Sequence, residues 1–159
     1  MQYLDEYKIL QVELSTSCNA LCVGCIRTEQ KTLRTTKEYI PKNKYLDKNI
    51  IKKALQSEIG KEITTIDFCG TIDEPFLHPE FYEIILMLFE MNKNYFIKIH
   101  TNGGVKNKSI YQRVSRLLSR FSKPGEIKFS IDELEDTNHL YRHNVNWSTV
   151  LENLELATN

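Results

Sequence analysis

Apolar and polar residues alternate along four short stretches of the chain, and between these stretches apolar residues recur at helical spacing. In the first, Tyr7–Leu14, the side chains of Leu10, Val12 and Leu14 share one face and Gln11 and Glu13 the other, which predicts a strand with one buried side. Ile63–Phe68, Tyr95–Ile99 and Ile127–Ile131 predict three more strands. Asp47 stands where it can cap a helix carrying Ile50, Ile51, Ala54 and Leu55, with a stop near Gly60. Pro79 opens a second helix, with Glu80 and Glu83 in its first turn and Phe81, Ile84, Ile85 and Leu88 on one stripe. A third turns Val114, Leu117, Leu118 and Phe121 inward, sends Arg113, Arg116 and Arg120 to solvent and breaks at Lys123-Pro124-Gly125. Asn146 can cap a last helix bearing Trp147, Val150, Leu151 and Leu154.

Four βα units in series imply a parallel sheet joined by right-handed crossovers. Its apolar alternates are Val12 and Leu14, Ile66 and Phe68, Ile97 and Ile99, then Ile127, Phe129 and Ile131. The opposite alternates are Gln11 and Glu13, Thr65 and Asp67, Lys98 and His100, then Lys128, Ser130 and Asp132. Helices cover the apolar face, so the polar face lines the concave side. A closed barrel fills its interior with bulky apolar layers, and charges do not sit unpaired in a dry core. The expected fold is therefore α/β: an open, partial barrel of the TIM type, about four βα units over residues 1–159, with a wet, ligand-lined cleft.

Composition narrows the function. A chain of 159 residues, 41% hydrophobic, forms one domain that buries roughly 70% of its unfolded surface without disulfides. The formal net charge is zero, so no global field recruits nucleic acid or an anionic membrane. The basic stretch from Arg27 to Lys53 and the acidic one from Glu58 to Glu90 read as solvated faces ahead of a substrate-steering patch. Met1–Tyr7 has no secretory pattern, and the longest apolar run, Ile84 to Phe89, is far short of the ~20 residues of a membrane span. A cytoplasmic chain with four reduced cysteines is the expectation.

Cys18-Asn-Ala-Leu-Cys22-Val-Gly-Cys25 is C-x3-C-x2-C, directly after the first strand. Three thiolates on one short loop can wrap one metal centre. An odd number of ligands suits a 4Fe–4S cube, in which three cysteines bind three irons and the fourth iron stays open for a small molecule. A zinc knuckle completed by Cys69 or a histidine is the alternative, although a second C-x2-C pair is missing. Cys69 itself reads first as a small buried residue. His78, before Pro79, reads as a helix-entry residue. Lys98 and His100 either touch substrate or pair with Glu13 or Asp67 across the lumen.

From Val12 to Leu154 the chain resembles the radical S-adenosylmethionine superfamily. Glu13-Leu-Ser-Thr-Ser-Cys-Asn-Ala-Leu-Cys-Val-Gly-Cys-Ile-Arg is similar to the cluster loop of the branch that includes peptide maturases and sulfatase-maturing enzymes. Gly70-Thr-Ile-Asp-Glu-Pro-Phe-Leu-His-Pro-Glu-Phe resembles the family's Gly-Gly-Glu-Pro segment, and His100-Thr-Asn-Gly its third-strand end. Ser130-Ile-Asp and His139-Leu-Tyr-Arg142 resemble its fourth-strand serine and following arginine. The resemblance implies that Cys18, Cys22 and Cys25 hold a 4Fe–4S cluster and that Glu74, Ser130 and Arg142 bind S-adenosylmethionine. Glu74 would accept from the ammonium, Arg142 would fork the carboxylate, and Ser130 would bond ribose or carboxylate. The implied activity is reductive cleavage of S-adenosylmethionine to a 5′-deoxyadenosyl radical that abstracts hydrogen from substrate. A flavodoxin- or ferredoxin-like electron donor and, from the branch, a peptide substrate follow. No residue is assigned to the substrate chemistry.

The chain departs from the pattern in three ways. Gly24 stands where a larger residue is common, and Ile72-Asp73 replaces the glycine pair. The family's core usually has six βα units, whereas four are legible here. The expectation is a chain truncated after the fourth unit, its last strand an open edge that pairs with another copy or a completing partner. A non-catalytic cluster- or zinc-binding remnant is the alternative reading.

Overall fold

A computed structural model describes residues 8–32 and 44–158. Met1–Tyr7, including the expected start of the first strand, and the basic positions Arg34, Lys37 and Lys42 lie outside them. Four strands, β1 (Ile9–Val12), β3 (Thr65–Phe68), β4 (Phe96–Thr101) and β5 (Glu126–Phe129), form one all-parallel sheet in the order β1-β3-β4-β5. Spatial order follows chain order, so each crossover returns on the same side. The helices α2 (Lys48–Gln56), α3 (Phe81–Met91) and α4 (Lys108–Leu118) make the three returns, and α6 (Trp147–Thr158) follows the last strand and packs on α4. This is the partial βα barrel that the strand faces imply.

Register explains the two faces. Ile66 pairs with Leu10 and Ile97, and Phe68 with Val12 and Ile99, so one row of apolar alternates faces the helices. Ile66, Phe68, Ile97 and Ile99 are wholly buried there, with Ile84, Ile85 and Leu88 of α3 and Val114 and Leu117 of α4. Phe68, Phe76, Phe81 and Tyr111 stack or meet edge to face beneath the strand ends. On the other face, Gln11, Asp67, Lys98 and Glu126 stand in one hydrogen-bonded row. No second layer covers this row among the described residues; Lys98 pairs along it with Glu126 at 3.9 Å, and His100, on the next row, lies 3.3 Å from Asp67.

Some expected positions differ. Asp47 caps α2 through Asn49 N–H, but only Ile51 and Leu55 are inside; Ile50 and Ala54 face out, because a nine-residue helix buries a narrow stripe. The Pro75–Leu77 turn enters ahead of α3, which begins at Phe81 rather than beside Pro79. In α6, Val150 is buried as expected, yet Leu151 is exposed and Asn153 takes the inner position. The Asn153 amide donates to Gly103 O at 2.7 Å and Val105 O at 2.9 Å, tying down the loop after β4. Arg113, Arg116 and Arg120 are exposed, Arg113 lying 4.0 Å over the Tyr82 ring.

Gly103 has φ +73°, and an added Cβ would meet Phe129 at 2.9 Å and Val150 at 3.1 Å. Left-handed backbone and a clash coincide, so Gly103→Ala should destabilise the fold by about 1–3 kcal/mol. Urea denaturation at neutral pH measures the loss, and a shift below ~0.5 kcal/mol would contradict it.

Candidate active site

The strand ends converge on a cavity of about 230 Å³, just below the usual size range of small-molecule sites. Cys18, Cys22, Cys25, Glu74, Ser130 and Arg142 all line it, joined by Arg27, Cys69, Asp73, His100 and Asn102. All six expected site residues thus share one wall. A larger cavity of about 460 Å³ opens beside Phe76, Val105 and Lys106, but it holds none of the thiols.

The cysteine loop is built from local rules. Cys25 N–H donates to Cys22 O at 3.3 Å, closing a turn whose third residue is Gly24 at φ +74°. A turn of this kind needs a positive φ at its third position, which explains the glycine in place of a larger residue. The helix α1 (Ile26–Thr32) follows immediately. A two-residue antiparallel ribbon then joins β2 (Leu21–Cys22) to β6 (Arg142–His143), with Cys22 opposite Arg142. Short helix α5 (Asn138–Tyr141) delivers that arginine. Arg142 Nη1 consequently lies 3.8 Å from the Cys22 sulfur, while Nη2 pairs with Asp132 at 2.5 Å.

Two carboxylates fasten this loop to the segment after β3. Glu13 accepts from Thr71 N–H at 2.8 Å, Ile72 N–H at 3.2 Å and the Cys69 thiol at 3.1 Å. Asp73 Oδ2 accepts from Leu14 and Ser15 N–H, each at 2.8 Å, and Glu74 N–H returns a bond to Ser17 O. Residue 73 stands where the resembling motif has glycine, and no local pattern marks it as a side chain that reaches back to β1. Its other oxygen, Oδ1, is buried without a partner, as is Arg142 Nε.

Glu74 is 1% exposed and already engaged: Thr101 Oγ donates at 2.6 Å and Asn102 N–H at 2.7 Å. Thr101 also meets Tyr111 OH at 3.2 Å. Asn102 carries the site further, donating to Asn19 Oδ1 at 3.0 Å and reaching the Cys18 sulfur at 3.6 Å. These contacts give the Thr-Asn-Gly segment its role; the motif flagged the place, while Asn19, Arg27, Asp73 and Tyr111 went unassigned.

Burial sets the protonation states. It pushes both Glu74 and Asp73 up to about 7, against hydrogen bonds that favour the anions. Burial also raises the Cys18 and Cys22 thiols, Arg142 opposing it at Cys22, and it raises Cys69, whose thiol faces the Glu13 carboxylate. Among the described residues, no three histidine, cysteine or carboxylate groups converge on a single-ion site. The three loop thiols line one cavity, and the Cys69 thiol is engaged by the Glu13 carboxylate. Three free thiols beside an unpartnered guanidinium nitrogen and carboxylate oxygen suit a group larger than one ion, with a charged ligand next to it.

A model of the radical SAM superfamily matches residues 12–159. Among solved structures, the crystal structure of BtrN in complex with AdoMet and 2-DOIA superposes with a TM-score of 0.53 at 19% identity. The match covers 70% of the present chain and 42% of BtrN, less than half its length. Curated proteins give no match. No helix among the described residues is long and apolar enough to cross a membrane.

Glu74 and Asp73 hold protons in the fold up to about pH 7 that the unfolded chain releases near pH 4. The stability they contribute is full below pH 4 and is lost as pH rises through 7, a slope of up to about 1.4 kcal/mol per pH unit for each proton. Urea melts of the metal-free protein between pH 5 and 8 should show this fall, and Glu74→Gln should flatten it. An unchanged slope in the variant would contradict the assignment.

Proposed function

Because the chain belongs to the radical SAM superfamily, we propose that Cys18, Cys22 and Cys25 hold a 4Fe–4S cluster and that Glu74, Ser130 and Arg142 bind S-adenosylmethionine beside it. The superfamily consists of enzymes that use this cluster and this cosubstrate. The chemistry that the bound pair supplies is reductive cleavage of the cosubstrate to methionine and a 5′-deoxyadenosyl radical, which takes hydrogen from substrate. The observation that carries the assignment is the convergence of all six residues, drawn from four segments, on one cavity.

The chain's own groups divide the work. Arg142, aligned by Asp132 and by its pairing with Cys22, keeps a free Nε for a carboxylate. Glu74 supplies negative charge for the ammonium, and Asp73 Oδ1, its neighbour, is the carboxylate oxygen with no partner. Ser130, held by Thr101 O at 2.8 Å, offers a hydroxyl at the cavity rim for ribose or carboxylate. Cluster uptake must displace the protons that burial keeps on Cys18 and Cys22, so it should favour alkaline pH.

Substrate would approach over the concave row of Lys98 and His100. The branch resemblance supports a peptide, and a low-potential flavodoxin- or ferredoxin-like donor would supply the electron in a cytoplasmic setting. Among the described residues β5 pairs with β4 alone, an edge to which a further strand, of another copy or of a partner, could add.

Anaerobic reconstitution should give a brown protein with about four iron and four sulfide per chain. Cys18→Ala, Cys22→Ala and Cys25→Ala should each abolish the cluster, and Cys69→Ala should retain it. Stoichiometric zinc without visible charge-transfer absorption, or equal metal loss in the Cys69 variant, would sink the assignment.

On the reconstituted protein, Glu74→Gln and Arg142→Lys should keep the cluster yet weaken S-adenosylmethionine binding about ten- to hundredfold, the effect of one charge-assisted contact. Equilibrium dialysis measures this; unchanged affinity in both variants would remove these residues from the site.

A further inference from the structure

Arg27 closes the cysteine loop. It lies two residues beyond Cys25, in the first turn of α1, and its side chain folds back toward the start of the loop. Nη2 donates to Thr16 O at 2.8 Å and Nη1 reaches Cys18 O at 3.4 Å. One guanidinium therefore bridges the backbone on the near side of Cys18 to the backbone just past Cys25. Its Nε is buried with no hydrogen-bond partner, and the side chain lines the cavity with the three thiols.

The charge around this cavity is unbalanced. Asp67, Asp73, Glu74 and Asp132 stand in or beside its wall, with Glu13 one bond away through Cys69. Arg142, the other guanidinium, is spoken for by Asp132 at 2.5 Å. Arg27 makes its hydrogen bonds to carbonyls, and among the described residues no carboxylate forms an ion pair with it. Its positive charge is thus paired directly with no carboxylate among the described residues and is partly desolvated, which strengthens its action on anything bound within a few ångströms.

Resting on the cluster reading above, we propose that Arg27 is a positioning residue that clamps the cysteine loop and sets the reduction potential of the cluster through its charge. A cluster held by three thiolates is anionic, and reduction adds one more negative charge. Potentials of such centres respond to nearby net charge and burial. A fixed cation in the wall stabilises the reduced form more than the oxidised one, and so raises the potential toward the reach of a biological donor. An ordinary surface arginine would leave the potential unmoved, because solvent and salt screen it.

The test is a potentiometric titration of the reconstituted cluster, followed by paramagnetic resonance, in wild type, Arg27→Lys and Arg27→Gln, with chelator-stripping rates measured alongside. Lys keeps the charge and loses the fork; Gln loses both. The expected result is a lower potential for Gln, a near-wild-type potential for Lys, and stripping several-fold faster in both. Iron uptake by Lys but not by Gln would equally support a need for the charge. A wild-type potential in Gln, an equal shift in Lys and Gln, or failure of both to take up iron would overturn the charge assignment and leave a mere clamp. Wild type that itself takes up no iron would overturn the cluster reading and this inference with it.

Discussion

The fold holds its site together through carboxylates that accept backbone amides across the end of the sheet. Glu13 reaches from the end of β1 to Thr71 and Ile72, and Asp73 reaches back to Leu14 and Ser15. The four N–H groups belong to segments that have left the strand ladder; those of Leu14 and Ser15 are buried, and buried amides without partners cost about 1–3 kcal/mol each. Capturing them with charged acceptors turns two loose strand ends into one frame. The cysteine loop hangs from that frame at Ser17, the cavity floor at Glu74, and the Thr101–Asn102 segment closes the third side. Cutting either carboxylate would strand its amides and free the loop that carries the thiols.

The same arrangement explains why the cavity is held in a poised electrical state. Burial raises Glu74, Asp73 and two of the loop thiols, which lowers the number of anions packed into one place. A metal centre or a cationic ligand bound at this wall would exchange those protons for a partner. Affinity for either group is in this way tied to proton release, and each should sharpen the other.

The strand faces were legible because a period of two is hard to mistake: Val12, Phe68 and Ile99 fall on the buried side and Asp67, Lys98 and His100 on the wet one. The cysteine loop was legible from spacing, and Glu74, Ser130 and Arg142 from their positions at strand ends, all of which meet in one cavity. Legibility failed where a residue acts at long range. Asp73 read as a departure from a glycine pattern, since nothing local says that its oxygen will find amides 58 and 59 positions earlier. Asn153 sits where a helical stripe calls for an apolar residue, and only the carbonyls of Gly103 and Val105 make its burial sensible. Ile50 and Leu151 were misplaced because a short amphipathic helix has a narrower inner stripe than the count of its apolar residues suggests.

The ribbon that sets Cys22 against Arg142 joins positions 120 residues apart. Such a contact carries a large loop-closure entropy and forms only after the intervening strands have given it a scaffold. During synthesis the three cysteines leave the ribosome well ahead of Arg142, before their wall is complete. For most of that time they are ordinary thiols on an open loop, available to oxidants and to stray metal. Topology therefore puts the sheet before the ribbon, and the wall that the thiols line is complete only once that distant segment has arrived.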